Sequence, residues 1–270
     1  MMKCLVSLPV IFMTAMVFLL ANNSLADDPK AREIMKKVED RDDGDQMTSS
    51  MLMVLIDKNG DRREKYFKNF SKDYGKDKKR IMFIEKPENI RNTGFLTFDY
   101  DDAERDDDQW LFLPALGKTK RIASTDKSGS FMGSDLNYSD MTDRGLEEYD
   151  FKLLQEMEMN GAKVWLIESI PRSREVIEET GYKKAILAIR QDNYVMIRSK
   201  SWTSEGGYIK IMDVQELEPI EGIWVSTKIH VVKRQGDRIR HQTLLTISDV
   251  KFNQNPDDDL FTIRRLEKGL

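Results

Sequence analysis

Met51-Leu52-Met53-Val54-Leu55-Ile56 is followed by Asp57-Lys58-Asn59-Gly60-Asp61 and then by Arg62-Arg63-Glu64-Lys65-Tyr66-Phe67-Lys68-Asn69-Phe70-Ser71. The Asn-Gly pair between two strand-like runs is a strong β-hairpin signal, because both residues tolerate the positive φ of a tight primed turn. The first run is apolar at consecutive positions rather than at alternate ones. A strand with one wet face alternates, so both faces of this one are covered. The fold is therefore built of antiparallel strands, with material packed on each side of this strand.

Outward from this hairpin the same grammar repeats. Residues 79–86, 93–100, 109–114 and 119–123 read as strands, and after one irregular stretch so do 151–159, 163–170, 183–190, 194–203, 207–218, 223–233 and 238–250. Short turn clusters such as Asn160-Gly161, Glu221-Gly222 and Gln235-Gly236-Asp237 separate them. About a dozen strands on short turns imply an antiparallel meander, curved or barrel-like, rather than βαβ units. Two helices are expected. One spans 29–38, with Asp27 or Asp28 as cap, Pro29 in the first turn and an apolar stripe of Ala31, Ile34, Met35 and Val38. The other, within 134–149, begins at Asp135 or Ser139 and interrupts the meander as a plug.

The chain has 270 residues and a formal charge of −4. Residues 1–26 read as a cleaved secretory leader: Lys3 precedes an apolar stretch from Leu5 to Ala21, and Ser24-Leu25-Ala26 forms the exit. One domain over 27–270 is then expected, exported and soluble, without disulfides because Cys4 is the sole cysteine. Mild acidity gives no global attraction to nucleic acid. Fifteen methionines suit either ordinary core filling or an adaptable apolar surface.

Catalytic motifs are weak. Gly117-Lys118-Thr119 lacks the upstream glycine of a phosphate loop, since position 112 is Phe112. The acidic run from Asp99 to Asp108 has Glu104 and Trp110 where a calcium loop needs glycine and glutamate. It reads as a solvated hairpin tip. His230 and His241, without cysteine or a patterned carboxylate, make no zinc site. No catalytic residue, cofactor or metal is expected.

Two segments are more distinctive: Trp110-Leu111-Phe112-Leu113-Pro114-Ala115-Leu116 with Arg121-Ile122, and Phe131-Met132-Gly133-Ser134-Asp135-Leu136-Asn137-Tyr138-Ser139-Asp140-Met141. Taken physically, Phe131-Met132 beside Gly133 is either an exposed apolar turn or the anchor of a buried loop. Together with the tail from Asp257 to Glu267, these segments resemble the outer-membrane lipoprotein-sorting protein family, periplasmic proteins related to the carrier LolA. The resemblance implies a mainly antiparallel β fold: an incomplete, half-open β-barrel of about 11–13 strands with a helical plug and an N-terminal helix. It also implies a non-catalytic monomer that binds a lipid or lipoprotein acyl chain in an apolar cavity, with an inner-membrane RND/MMPL-type transporter as partner. The lining candidates are Met51, Met53, Leu55, Trp110, Phe112, Phe131, Met132, Trp165, Trp202 and Trp224. Two other readings stay open: a periplasmic protein-interaction adaptor or envelope-stress sensor with a filled interior, and a hydrolase using surface carboxylates.

Overall fold

The computed structural model describes residues 27–102 and 105–270; the expected leader lies outside the described residues. Thirteen strands follow the meander: β1 (Gln46–Asp57), β2 (Arg62–Tyr74), β3 (Asp77–Lys86), β4 (Gly94–Asp99), β5 (Asp108–Leu113), β6 (Lys118–Arg121), β7 (Tyr149–Met159), β8 (Ala162–Pro171), β9 (Tyr182–Arg190), β10 (Met196–Thr203), β11 (Ile209–Ile220), β12 (Ile223–Gln235) and β13 (Arg238–Phe252). They form one antiparallel sheet in the order β6-β5-β4-β3-β2-β1-β13-β12-β11-β10-β9-β8-β7. The sheet stays open. Its two edges are β6 and β7, which are consecutive in sequence, so the segment 122–148 must travel from one edge to the other.

That segment, the strap, crosses the inner face of the sheet. Its neighbouring residues Asn137 and Tyr138 reach Lys210 on β11 and Gln109 on β5, respectively. In the strand order these strands stand seven spacings apart, about 34 Å in a flat sheet. Two adjacent residues cannot span that gap, so the sheet curls around the strap.

The expected helix over 134–149 is absent. In its place the strap makes two short 3-10 turns, Tyr138–Met141 and Leu146–Glu148, after two earlier ones at Ser124–Asp126 and Phe131–Gly133. The physical reason lies in its polar side chains. Asp135, expected to cap a helix, gives its carboxylate to Thr243 and His241 on β13. Asn137 and Asp140 do form a reciprocal capping box, but Asn137 and Ser139 also donate to the Thr180 carbonyl. Bonds to residues distant in sequence replace the local ladder after one turn.

The N-terminal helix forms as expected, α1 (Pro29–Glu39), with Asp28 accepting from the N–H groups of Lys30 and Ala31. Two short helices were not anticipated: α2 (Arg174–Thr180), bracketed by the Ser173 cap and by Gly181 in the left-handed region, and α3 (Ile263–Lys268). On the inner face α1 packs through Ala31 and Ile34 on Phe151, Ile167, Leu187 and Ile189 of β7–β9. The strap covers the other side, where Phe131 meets Met53, Leu55, Phe67 and Phe95. On the outer face Leu260, Phe261 and Leu266 cover Ile81, Phe83 and Leu96.

Candidate functional site

Directly opposed residues on neighbouring strands point to the same side of a sheet. Thr243 fixes which side is inner, because its hydroxyl donates to Asp135 of the strap at 2.8 Å and accepts from the Asp135 N–H at 2.9 Å. Its row continues to Leu55 on β1 and, in the other direction, to Val231, Met212, Ser199 and Leu187. The next row holds Met53, Leu245 and Ile229; the one after it pairs Met51 with Ile247. Met51, Met212, Ile229 and Ile247 are only half-buried although they face inward. They form an apolar floor between the strap and α1, whose Met35 and Val38 are likewise half-buried.

The strap is bound to the floor's margin by directional bonds. The Lys65 ammonium donates to the Met132 carbonyl at 2.5 Å, and the Gln109 amide donates to the Tyr138 carbonyl at 3.0 Å. Met132 (φ 48°) and Gly133 (φ 78°) both take the left-handed region, which turns the chain sharply over Leu55. His241 Nδ1 lies 2.7 Å from Asp135. Lys210, only 8% exposed, donates to Asn137 Oδ1 at 2.6 Å and to the Tyr182 hydroxyl at 3.2 Å. Tyr182 in turn donates to Asp140 at 2.8 Å, and Arg144 meets the other Asp140 oxygen at the same distance. Burial pulls the Lys210 ammonium down to about 8, against the opposing attraction of Asp140. So deep a lysine serves the strap rather than an incoming reactant.

A second polar cluster holds the strap's far end. Arg80 bridges Asp99 at 2.5 Å and Asp143 at 3.0 Å, and the Asp143 N–H donates to Asp99 at 2.9 Å. Burial, with the neighbouring Asp143 charge, pushes the Asp99 carboxyl up to about 6. Nearby in this loop Asp101 pairs with Lys76, Asp106 accepts from the Ser124 hydroxyl, Asp107 accepts from the Tyr100 N–H, and Asp108 meets both Arg121 and the Tyr100 hydroxyl. Among the described residues no group of three or more His, Cys, Asp or Glu side chains is arranged to hold a metal ion.

The ten lining candidates divide. Met53, Leu55 and Phe131 are fully buried together, with Met51 and Met132 half-buried against them. The other five stand elsewhere. Trp110 and Phe112 lie on the outer face beneath Leu260, Phe261 and Leu266. Trp165 sits in the α1 core, stacked on Tyr194 at 5.7 Å. Trp224 packs with Val164 and Ala188. Trp202 points outward between the ammonium groups of Lys184 and Lys200, at 4.9 and 4.8 Å. Sequence reasoning missed Met212, Ile229 and Ile247 as floor residues. Their strands carry apolar groups on both faces, so only the register to Thr243 reveals which side each takes.

An open antiparallel sheet curled round a strap, with an apolar inner floor, is a LolA-like fold. A candidate outer membrane lipoprotein-sorting protein domain from Vibrio parahaemolyticus shares the architecture with a TM-score of 0.79 at 26% identity, over 88% of this chain and 98% of that one. A LolA superfamily protein from Nitrosomonas europaea has the same fold, with a TM-score of 0.64 at 18% identity over 87% and 98% of the two chains. The family is narrower than the fold. A family model described as an uncharacterized protein matches residues 76–268, and the chain belongs to that family, DUF1329. A DUF1329 family protein from Desulfovibrio piger aligns with a TM-score of 0.80 at 25% identity over 88% of this chain and 98% of that one. No curated protein matches the chain in sequence.

Proposed function

We propose that this chain is a periplasmic, non-catalytic carrier that holds the acyl chain of a lipid or lipoprotein against the inner floor of its curled sheet. One observation carries the reading. Met51, Met212, Ile229 and Ile247 face the inside of the curl yet keep exposed apolar surface, which a soluble protein has reason to retain only where something apolar comes to rest. The likeness to a lipoprotein-sorting domain supports the same cargo class. Cleavage of residues 1–26 on export, and hand-over to or from an RND/MMPL-type inner-membrane transporter, complete the proposal.

The energetics suit a shuttle. Each buried methylene contributes about 0.8 kcal/mol, so a 14-carbon chain gains roughly 10 kcal/mol on full desolvation. Ordering costs bring net binding to about the micromolar range, tight enough to carry and weak enough to release. The test is titration with a fluorescent fatty-acyl probe. Met53 and Phe131, 0% and 1% exposed, are poor test positions because a charge there would unfold the core. Met51→Glu and Met212→Glu, half-buried at the floor, should fold and lose at least tenfold in affinity. Asp61→Ala, at the tip of the β1–β2 hairpin, should bind like wild type. Wild-type affinity in both floor variants would reject the floor as the binding surface. A wild-type protein that takes up no probe, and yields no lipid on solvent extraction and mass spectrometry, would favour the adaptor reading.

A further inference from the structure

We propose that a second cavity, on the outer face of the sheet and independent of the carrier reading, binds an anionic amphiphile: a single carboxylate or phosphate on a short apolar body. The cavity measures ≈ 520 Å³ and is formed where the C-terminal segment folds back over β2. That size falls within the range of small-molecule sites. Phe70, Leu260 and Leu270 supply apolar wall; Arg264, Arg265 and Lys268 of α3 supply the charge. Phe70 alternates along β2 with Asn69, whose amide bonds to Ser49 on the inner side, so this cavity opens behind the sheet, away from the floor.

The two acids at the rim are already engaged. Asp259 pairs with Arg264 at 3.1 Å, and Asp257 accepts from the Asp259 N–H at 3.0 Å as the cap of the preceding turn. Arg265 and Lys268, three residues apart on α3 and hence neighbours on its surface, make no ion pair within 4.0 Å among the described residues. The Arg265 Nε is buried without a hydrogen-bond partner. That atom has no accessible surface, so a carboxylate or phosphate oxygen in the cavity meets the rest of the planar guanidinium, which lines it together with the Lys268 ammonium. The apolar wall then selects anions that carry a hydrocarbon body over bare inorganic ions.

Calorimetric titration with octyl phosphate below its micellar concentration, and co-sedimentation with phosphatidylglycerol or phosphatidylcholine vesicles, test the site. Octyl phosphate or the anionic vesicles should bind wild type, while neutral octyl glucoside and phosphatidylcholine should not. Binding of octyl phosphate alone identifies a free ligand; binding of the anionic vesicles alone identifies a headgroup presented by a membrane. Arg265→Gln and Lys268→Gln should each weaken binding at least tenfold, and Met51→Glu should leave it unchanged. Lys268 is exposed, so Lys268→Gln keeps the fold even where Arg265→Gln does not. Failure of both anionic probes on wild type, or wild-type binding by the Lys268 variant, would overturn the site.

Discussion

The strap and α1 both lie against the inner face of the sheet, but they are held there differently. Lys65, Gln109, Thr243, Lys210 and Tyr182, from five strands, bond to the strap or to side chains bonded to it. α1 rests on Ala31 and Ile34, and its polar ties gather at its first turn. There Asp28 donates its N–H to the Phe151 carbonyl and accepts from the Leu153 N–H, while Asp27 pairs with Arg32 and accepts from the Phe151 N–H. Beyond that turn Met35 and Val38 touch the core without a directional bond. Hydrogen bonds fix position and angle, whereas apolar contacts tolerate sliding. The strap is thus the wall of the floor fixed by directional bonds, and α1 beyond its first turn is the side held by apolar contact.

The largest effect should come from the strap's apolar anchor. Phe131→Ala removes a ring that packs on Phe95 at 5.1 Å and Tyr138 at 5.6 Å. It should cost about 4 kcal/mol in denaturant unfolding. A cost below about 1 kcal/mol would mean that the strap is loosely seated, and the contrast with α1 would collapse.

Asn137→Ala comes next, at about 3 kcal/mol, because it takes the best acceptor from a buried ammonium. Adding Lys210→Met removes the charge itself, so the double variant should recover most of the loss. Simple additivity of the two changes would show that the bond to Lys210 is not what holds Asn137.

The pH dependence of wild type sharpens the same point. Lys210 titrates at about 8 in the folded protein, against 10.5 for an unperturbed lysine, so between these values the unfolded chain binds more protons. Stability attributable to Lys210 should therefore rise as pH increases from about 8 to 10.5, by on the order of 3 kcal/mol. Below 8 the cost of the buried charge is fully present. Lys210→Met should lack this rise; if the variant's profile keeps it, another group is responsible.

The smallest effect concerns α1. Asp28→Ala should cost about 1 kcal/mol and speed hydrogen exchange in α1 and along β7. Protection within the strap should not change. Equal acceleration in both elements would mean that they move as one body.

What was legible in the sequence follows from the range of the interactions. Asn59-Gly60, Asn160-Gly161 and Gly236-Asp237 act within their own turns, so all thirteen strands could be read from local pattern. Of the unbroken apolar run at Met51–Ile56, the inner side meets the strap through Met53 and Leu55, while Leu52 and Val54 on the other side are only half-buried. The strap itself could not be read. Asp135 and Ser139 are good helix caps in isolation, and only partners far away in sequence, β13 for Asp135 and the end of α2 for Ser139, claim their side chains. Parity was the other loss. Apolar character does not say which face a strand residue takes, and Trp224 packs with Val164 and Ala188 instead of on the floor. α2 lay within reach: Ser173 and Gly181 bracket it as cap and stop.

The sheet's middle is made by the chain's extremes, since β1 pairs with β13 over ten opposed positions from Met47–Phe252 to Asp57–His241. Every other pairing joins strands adjacent in sequence. Hairpins of that kind can form as soon as their second strand exists, in microseconds. The central seam instead closes a loop nearly as long as the folded chain, which makes it the late and slow event. A chain threaded through a membrane channel N-terminus first could build two half-sheets on the far side, each exposing one unpaired central strand. Neither could hold its curl until the final strand emerged. Until then the molecule is two separate half-sheets, and the inner floor that spans β1 and β13 does not yet exist.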